Sequence, residues 1–269
     1  MTDLAGDPRG PGQETPDTIA AQAAELATEV SEARQPQERR RLTAAFAAAA
    51  RSGARLTGRG ARAARRGTFK GTDWLARQVV AMAPRLRVRN REALRAQFPG
   101  LSTEDLADAL ITGAARASAA VGGAVGAWAA LPVLPAFPVE ILTETLALIG
   151  IEIKLIAELH EVYGMPAPGN VADRAGAYIG AWAHRRGVLA GSPGGLILMA
   201  GSPLARRLRL RLAGRVGRST FSLAPLFTGA AAGAVLNSRE TRRLGQQIRA
   251  DLRRRAELGA TGHGLELPE

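Results

Sequence analysis

Apolar residues recur along this chain at helical spacings, and proline and glycine punctuate them into separate segments. Residues 1–16 are polar and turn-rich, and Thr18 to about Ala33 has helix propensity but only a weak, alanine-based apolar face. Residues 36–69 alternate Ala-rich and Arg-rich pieces broken by Gly53, Gly58, Gly60 and Gly67. A capped helix is predicted from Thr72, anchored by Trp74 and running to Met82, where Pro84 stops it. After Phe98-Pro99-Gly100, Ser102 is a natural N-cap with Asp105 three residues on, and Leu101 and Leu106 have staple spacing. The predicted helix Thr103–Ala130 carries small residues at every fourth position, Ser118, Gly122, Gly126 and Ala130. Such a stripe lets another helix backbone approach closely.

Pro132, Pro135 and Pro138 then introduce a second long helix, Val139–Tyr163, ending at Gly164. On a helical projection its Glu140, Glu144, Lys154, Glu158 and Glu161 share one stripe, which reads as an amphipathic surface helix. A third helix starts at Asn170, with Asp173 completing the cap and Val171, Ala175, Tyr178 and Trp182 as its apolar stripe. Gly191-Ser192-Pro193 and Gly201-Ser202-Pro203 each read as a helix end followed by a cap. A Gly/Ala-rich helix near 222–236 and a separate polar helix, Arg239–Glu257, with a Leu244, Ile248 and Leu252 seam, complete the series. The expected architecture is all-α: a helical bundle with closely packed Gly/Ala-rich helices over 71–257. A low-order, first acidic and then basic extension over 1–70 precedes it, and a loose tail over 258–269 follows.

Composition narrows the function classes. The 269-residue chain has no cysteine, which excludes disulfides, thiolate metal sites and cysteine nucleophiles. Its first residues lack a basic segment followed by an apolar run, so a cytoplasmic location is expected. The formal charge of +12 is almost wholly arginine and unevenly distributed. Seven acids stand against Arg9 alone up to Glu32, and seventeen bases against three acids follow from Arg34 to Arg95. A second basic block holds Arg206, Arg207, Arg209, Arg211, Arg215 and Arg218 between two apolar stretches. Blocks of this kind call for an anionic partner, and the acidic arm over 1–33 is placed to shield them as an internal competitor.

Three stretches, 117–139, 187–205 and 219–238, lack charge for about the 20 residues a membrane span needs. Their Ala, Gly and Pro content argues against insertion, as does arginine on both sides of any such topology. Catalytic chemistry finds little to build on. Glu140 and Glu144 lie one turn apart, but no Glu-x-x-His pairs accompany them. His160 reads as a boundary histidine, His184 as a cation at a helix C-terminus, and His263 as part of the tail. No P-loop, dinucleotide fingerprint or nucleophile elbow occurs. An unrecognised enzyme would require Glu140, Glu144 or Glu152 to meet a His or Arg of another helix in a pocket. No metal, cofactor or small-molecule substrate is expected.

The run Ala119-Ala120-Val121-Gly122-Gly123-Ala124-Val125-Gly126 is followed by Leu131-Pro132-Val133-Leu134-Pro135 and then by the ending Ile156-Ala157-Glu158-Leu159-His160-Glu161-Val162-Tyr163-Gly164. Over about 104–186 this resembles the EcsC family of bacterial proteins. That resemblance implies membrane association and supplies no catalytic residues, and the family does not account for the acidic-then-basic extension. The reading that follows is a peripheral helical accessory or scaffold protein at the inner face of the cell membrane, with Arg206–Arg218 against anionic lipid. A protein partner is compatible with it. The alternatives are a polytopic protein spanning at the three stretches named, and an unspecific nucleic-acid-associated protein. Only Phe46, Phe69 and Trp74 stand among the bases of Arg34–Arg95, few for stacking on single strands.

Overall fold

The computed structural model describes residues 16–33, 35–39, 41–42, 76–128, 137–186 and 224–262; within these, only the backbone is described over 16–18, 124–128, 137–144, 224–232 and 259–262. The described part is an all-α helical bundle. Its elements are α1 (Pro16–Glu32), a helical turn over 76–82 running into a 3-10 turn (Ala83–Arg85), α2 (Arg91–Gln97), α3 (Thr103–Trp128), α4 (Phe137–Val162), α5 (Val171–Arg185) and α6 (Ala224–Gly262).

Local signals place the helix ends. The Asp105 amide donates to Ser102 Oγ at 3.1 Å, and the Ser102 hydroxyl donates to Asp105 Oδ2 at 2.6 Å, opening α3 as its sequence predicts. Asn170 and Asp173 form a full capping box on α5. After α4 the chain turns through Gly164, at φ +71°. The Met165 amide donates to the His160 carbonyl at 2.8 Å and that of Gly164 to Glu161 at 3.1 Å, the two bonds of a Schellman ending. α2 was not legible in the apolar pattern; Asn90 caps it by accepting from the Ala93 amide at 2.9 Å.

α4 is the centre, and here the structure corrects the sequence reading of a surface helix. Every residue from Thr145 to Leu159 is buried, Glu152, Lys154 and Glu158 included. Lys154 and Glu158 of that stripe face α1 and the segment before α2, which carry partners for them, so a projection of α4 alone misassigns them to solvent. α3 runs antiparallel to α4, bringing Glu104 to Tyr163 at one end and Ile111 towards Leu155 further along. α6 runs antiparallel to α3, pairing Arg249 with Glu104 and Thr241 with Ser118. α5 lies back along α4, with Trp182 on Glu152 and the Tyr178 ring on His160.

A second correction concerns the N-terminal extension. Over Pro16–Glu32 the chain is not a low-order arm: α1 lies on α4, with Ala20, Ala23, Ala27 and Val30 fully buried and Leu26 at 6% exposure. Alanine carries a weak hydropathy signal, yet it permits close backbone approach, and α4 meets it with Gly150. A Cβ at Gly150 would stand 2.8 Å from that of Ala27. The expected pair of helices over 222–257 is also one continuous helix, α6, which runs on to Gly262 and so into the expected tail. Its Asn237 and Ser238 do not break it, since Asn237 is buried against α3. In α5 the stripe is buried at Ala175, Tyr178 and Trp182, while Val171 is 66% exposed in the first turn, ahead of the part that packs on α4. The helix start at Thr72 and Trp74 lies outside the described residues.

Of the small-residue stripe on α3, Ser118 is fully buried against Thr241. Gly122 faces α6 so closely that a Cβ there would stand 2.9 Å from the Gly233 carbonyl and closer still to the Asn237 side chain. Gly126 lies in α3 where only the backbone is described, and Ala130 lies outside the described residues. Gly122→Leu is therefore expected to destabilise the chain by at least about 1–3 kcal/mol, the range for overpacking, because a backbone carbonyl cannot rotate away as a side chain can. Urea unfolding measures this, and a cost near zero would mean that α3 and α6 do not pack at this register.

Candidate functional site

Three charged clusters are built around α4, and none of them was assembled from the sequence alone. In the first, Lys154 has a side chain only 1% exposed. Its ammonium donates to Glu158 Oε1 at 2.5 Å, to Glu32 Oε1 of α1 at 3.0 Å, and to the Arg87 carbonyl. Arg89 forks onto Glu158, with Nε to Oε1 at 2.8 Å and Nη2 to Oε2 at 2.7 Å, and its Nη1 donates to Gln97 Oε1 at 2.6 Å. Burial alone would raise the Glu158 carboxyl, but the Arg89 hydrogen bonds and the Lys154 charge outweigh it and hold the group below the ordinary glutamate range. Burial likewise opposes the Arg89 charge, and Glu158 holds that guanidinium above its ordinary value. Two cations and two anions balance within this cluster.

The second cluster joins three helices, α4, α5 and α6. Glu152 accepts from the Trp182 indole at 2.8 Å, from Arg186 Nε at 3.1 Å and from the Thr241 hydroxyl at 3.1 Å, and Arg186 also reaches Glu240 at 2.9 Å. Glu152 thus does meet an arginine of another element, which an enzymatic reading asked for. Glu152 is nevertheless buried with both carboxylate oxygens engaged, and it does not line the cleft between α1, α2, α3 and α4. The third cluster closes the far end: Arg249 of α6 pairs with Glu104 at 2.7 Å and with Asp108, and Tyr163 donates to Glu104 at 2.7 Å. Burial, followed by Glu104, pushes the Tyr163 phenol up to about 12.

Beside the first cluster lies a cleft of about 450 Å³ between α1, α2, α3 and α4. Along α3 its wall runs from Asp105 through Ala109 and Gly113 to Arg116, and Arg39 faces it from the segment after α1. On the outside of the bundle, α6 presents Arg239, Arg242 and Arg243 to solvent, following Val235 and Leu236, each 46% exposed. None of these three arginines is ion-paired with another described residue.

The lipid-facing residues read from the sequence, Arg206, Arg207, Arg209, Arg211, Arg215 and Arg218, lie outside the described residues, as do the stretch 187–205 and His263. Glu140 and Glu144 lie on α4 where only the backbone is described. His160 is half-buried: its Nδ1 lies 2.8 Å from the Ile156 carbonyl and its ring centroid 5.3 Å from that of Tyr178. Burial holds it below the ordinary histidine range. His184 is exposed in the last turn of α5. Among the described residues, no group of three or more His, Asp or Glu is placed to hold a metal ion, and no helix is long and apolar enough to cross a membrane. Comparison of the chain with protein families, with curated proteins and with solved structures finds no match.

Proposed function

We propose that the chain is a peripheral helical accessory or scaffold protein acting at an anionic membrane surface on the cytoplasmic side, without catalysis of its own. The observation that carries this reading is the outer face of α6. Arg239, Arg242 and Arg243 stand exposed beside exposed Val235 and Leu236, at the end of a helical stretch that carries no charge from Ala224 to Ser238. Cations bordering an apolar surface are what an acidic headgroup layer attracts, and each contributes about 1 kcal/mol. The sequence-level block Arg206–Arg218 precedes this same helix, and the EcsC-like central region points the same way. Spans across a membrane near 117–139 and 219–238 are not favoured, since no described helix is apolar enough for one.

The test is co-sedimentation with phosphatidylcholine vesicles, with and without phosphatidylglycerol. Binding is expected only with the anionic lipid, and replacing Arg239, Arg242 and Arg243 together by glutamine should weaken it by about two orders of magnitude. No binding to anionic vesicles at moderate salt would sink the reading. If the chain were instead retained on duplex DNA with an affinity falling steeply with salt, the same arginines would belong to an unspecific nucleic-acid contact.

A further inference from the structure

We infer that the segment over 86–90 is an open strand edge that takes up an extended acidic segment of a partner protein by strand addition. The segment is held along α4. Lys154 donates to the Arg87 carbonyl, and the Arg89 amide donates to Glu158 Oε1 at 3.3 Å. Those two α4 residues are about one turn apart, roughly 6 Å, a distance that two residues of chain cover in the extended conformation. Leu86 and Asn90, at the segment's ends, have extended backbone. The Arg87 amide also points inward, donating to Thr28 Oγ1 of α1 at 3.4 Å.

In extended chain the backbone groups of successive residues point to opposite edges. With those of Arg87 and Arg89 turned towards the bundle, the outer edge consists of the Leu86 carbonyl, the Val88 amide and carbonyl, and the Asn90 amide. None of these four groups bonds to another described residue. Val88 is 39% exposed and Asn90 is exposed beside it. Such a row of donors and acceptors is what an added strand pairs with. Charge then selects the partner. Arg87 on the segment and Arg91 and Arg95 on α2 are exposed and form no ion pair with another described residue. Glu92 is the one acid from Ala83 to Gln97, and Arg89 is already neutralised by Glu158. An acidic segment with some apolar side chains therefore matches the edge in both backbone and charge. Lys154 and Glu152, two residues apart, point about 200° from each other around α4. The edge held by Lys154 and the helix α6, which meets Glu152 through Thr241, thus lie on different sides of the bundle. Both can be occupied at once, and the inference stands without the membrane reading.

The test is fluorescence anisotropy of the full chain with a fluorescein-labelled octapeptide of alternating glutamate and valine. Saturable one-site binding is expected. Val88→Pro removes one outward amide and should weaken it about tenfold at unchanged melting temperature, since that amide makes no bond within the described chain. Replacing Arg87 and Arg91 together by glutamine should weaken it by a similar factor. Methylated peptides probe the same bonds with the protein unaltered. Because one edge of the added strand pairs and the other does not, N-methylation of either the valine amides or the glutamate amides should abolish binding, and methylation of the other set should leave it intact. Binding indifferent to methylation of both sets is plain charge attraction and overturns strand addition. No saturable binding, or an affinity unaltered by Val88→Pro, overturns it as well.

Discussion

Replacing Glu158 by glutamine should destabilise this chain by about 3–5 kcal/mol, the range for breaking a buried ion cluster by removing one partner. The substitution is nearly isosteric, so packing is retained and the cost is electrostatic. It leaves the Lys154 side chain, 1% exposed, and that of Arg89, 15% exposed, with only the Glu32 carboxylate to answer them. Urea unfolding at neutral pH should show a lower midpoint with an unchanged slope; a cost below about 1 kcal/mol would mean that water reaches this cluster.

The pH dependence has a definite sign. The folded Glu158 carboxyl sits below its unfolded value of 4.5, so its contribution is present above that pH and is lost as pH falls through the lower folded value. The gap between wild type and Glu158→Gln should accordingly narrow in acid. Exchanging Lys154, Glu158 and Arg89 together for Met, Leu and Leu should cost far less than the single change, since the one charge left of the cluster, Glu32, has a side chain 31% exposed and reaches water.

Deleting residues 1–33 should abolish cooperative folding. Burying Leu26 and Val30 contributes about 1.5–3 kcal/mol each, and each alanine methyl about 0.8 kcal/mol. With four alanines of α1 at 0–2% exposure, the loss is comparable to the whole stability of an ordinary domain, about 5–15 kcal/mol. Glu32 leaves with the helix, uncovering Lys154 as well. The expected result is a truncated chain without a cooperative melting transition. If it melted normally and merely bound anions more tightly, α1 would be the shielding arm that its acidic sequence suggests. Leu26→Ala in the full chain gives a graded check, with an expected cost of about 2–5 kcal/mol.

What was legible in the sequence was punctuation. Ser102 with Asp105, Gly164, and Asn170 with Asp173 each act through atoms within a few residues of themselves, so spacing suffices to find them. What was not legible depends on partners far along the chain. Lys154 and Glu158 look like a solvent-facing stripe until Arg89 and Glu32, 69 and 122 residues from the atoms they meet, close over them. A signal did exist: three charges set within the Leu/Ile run 146–159 are too few for a surface face. α1 escaped because its contact is made by alanine methyls, whose weight lies in the close approach allowed by Gly150 rather than in hydropathy.

The most direct test of the proposed function is fractionation of cells producing the tagged chain, with the membrane pellet washed first in high salt and then in alkaline carbonate. The protein is expected in the pellet and is expected to be released by salt, as arginine-to-headgroup attraction requires. A protein that never pellets contradicts the membrane reading, and one that resists both washes is integral and contradicts the peripheral placement.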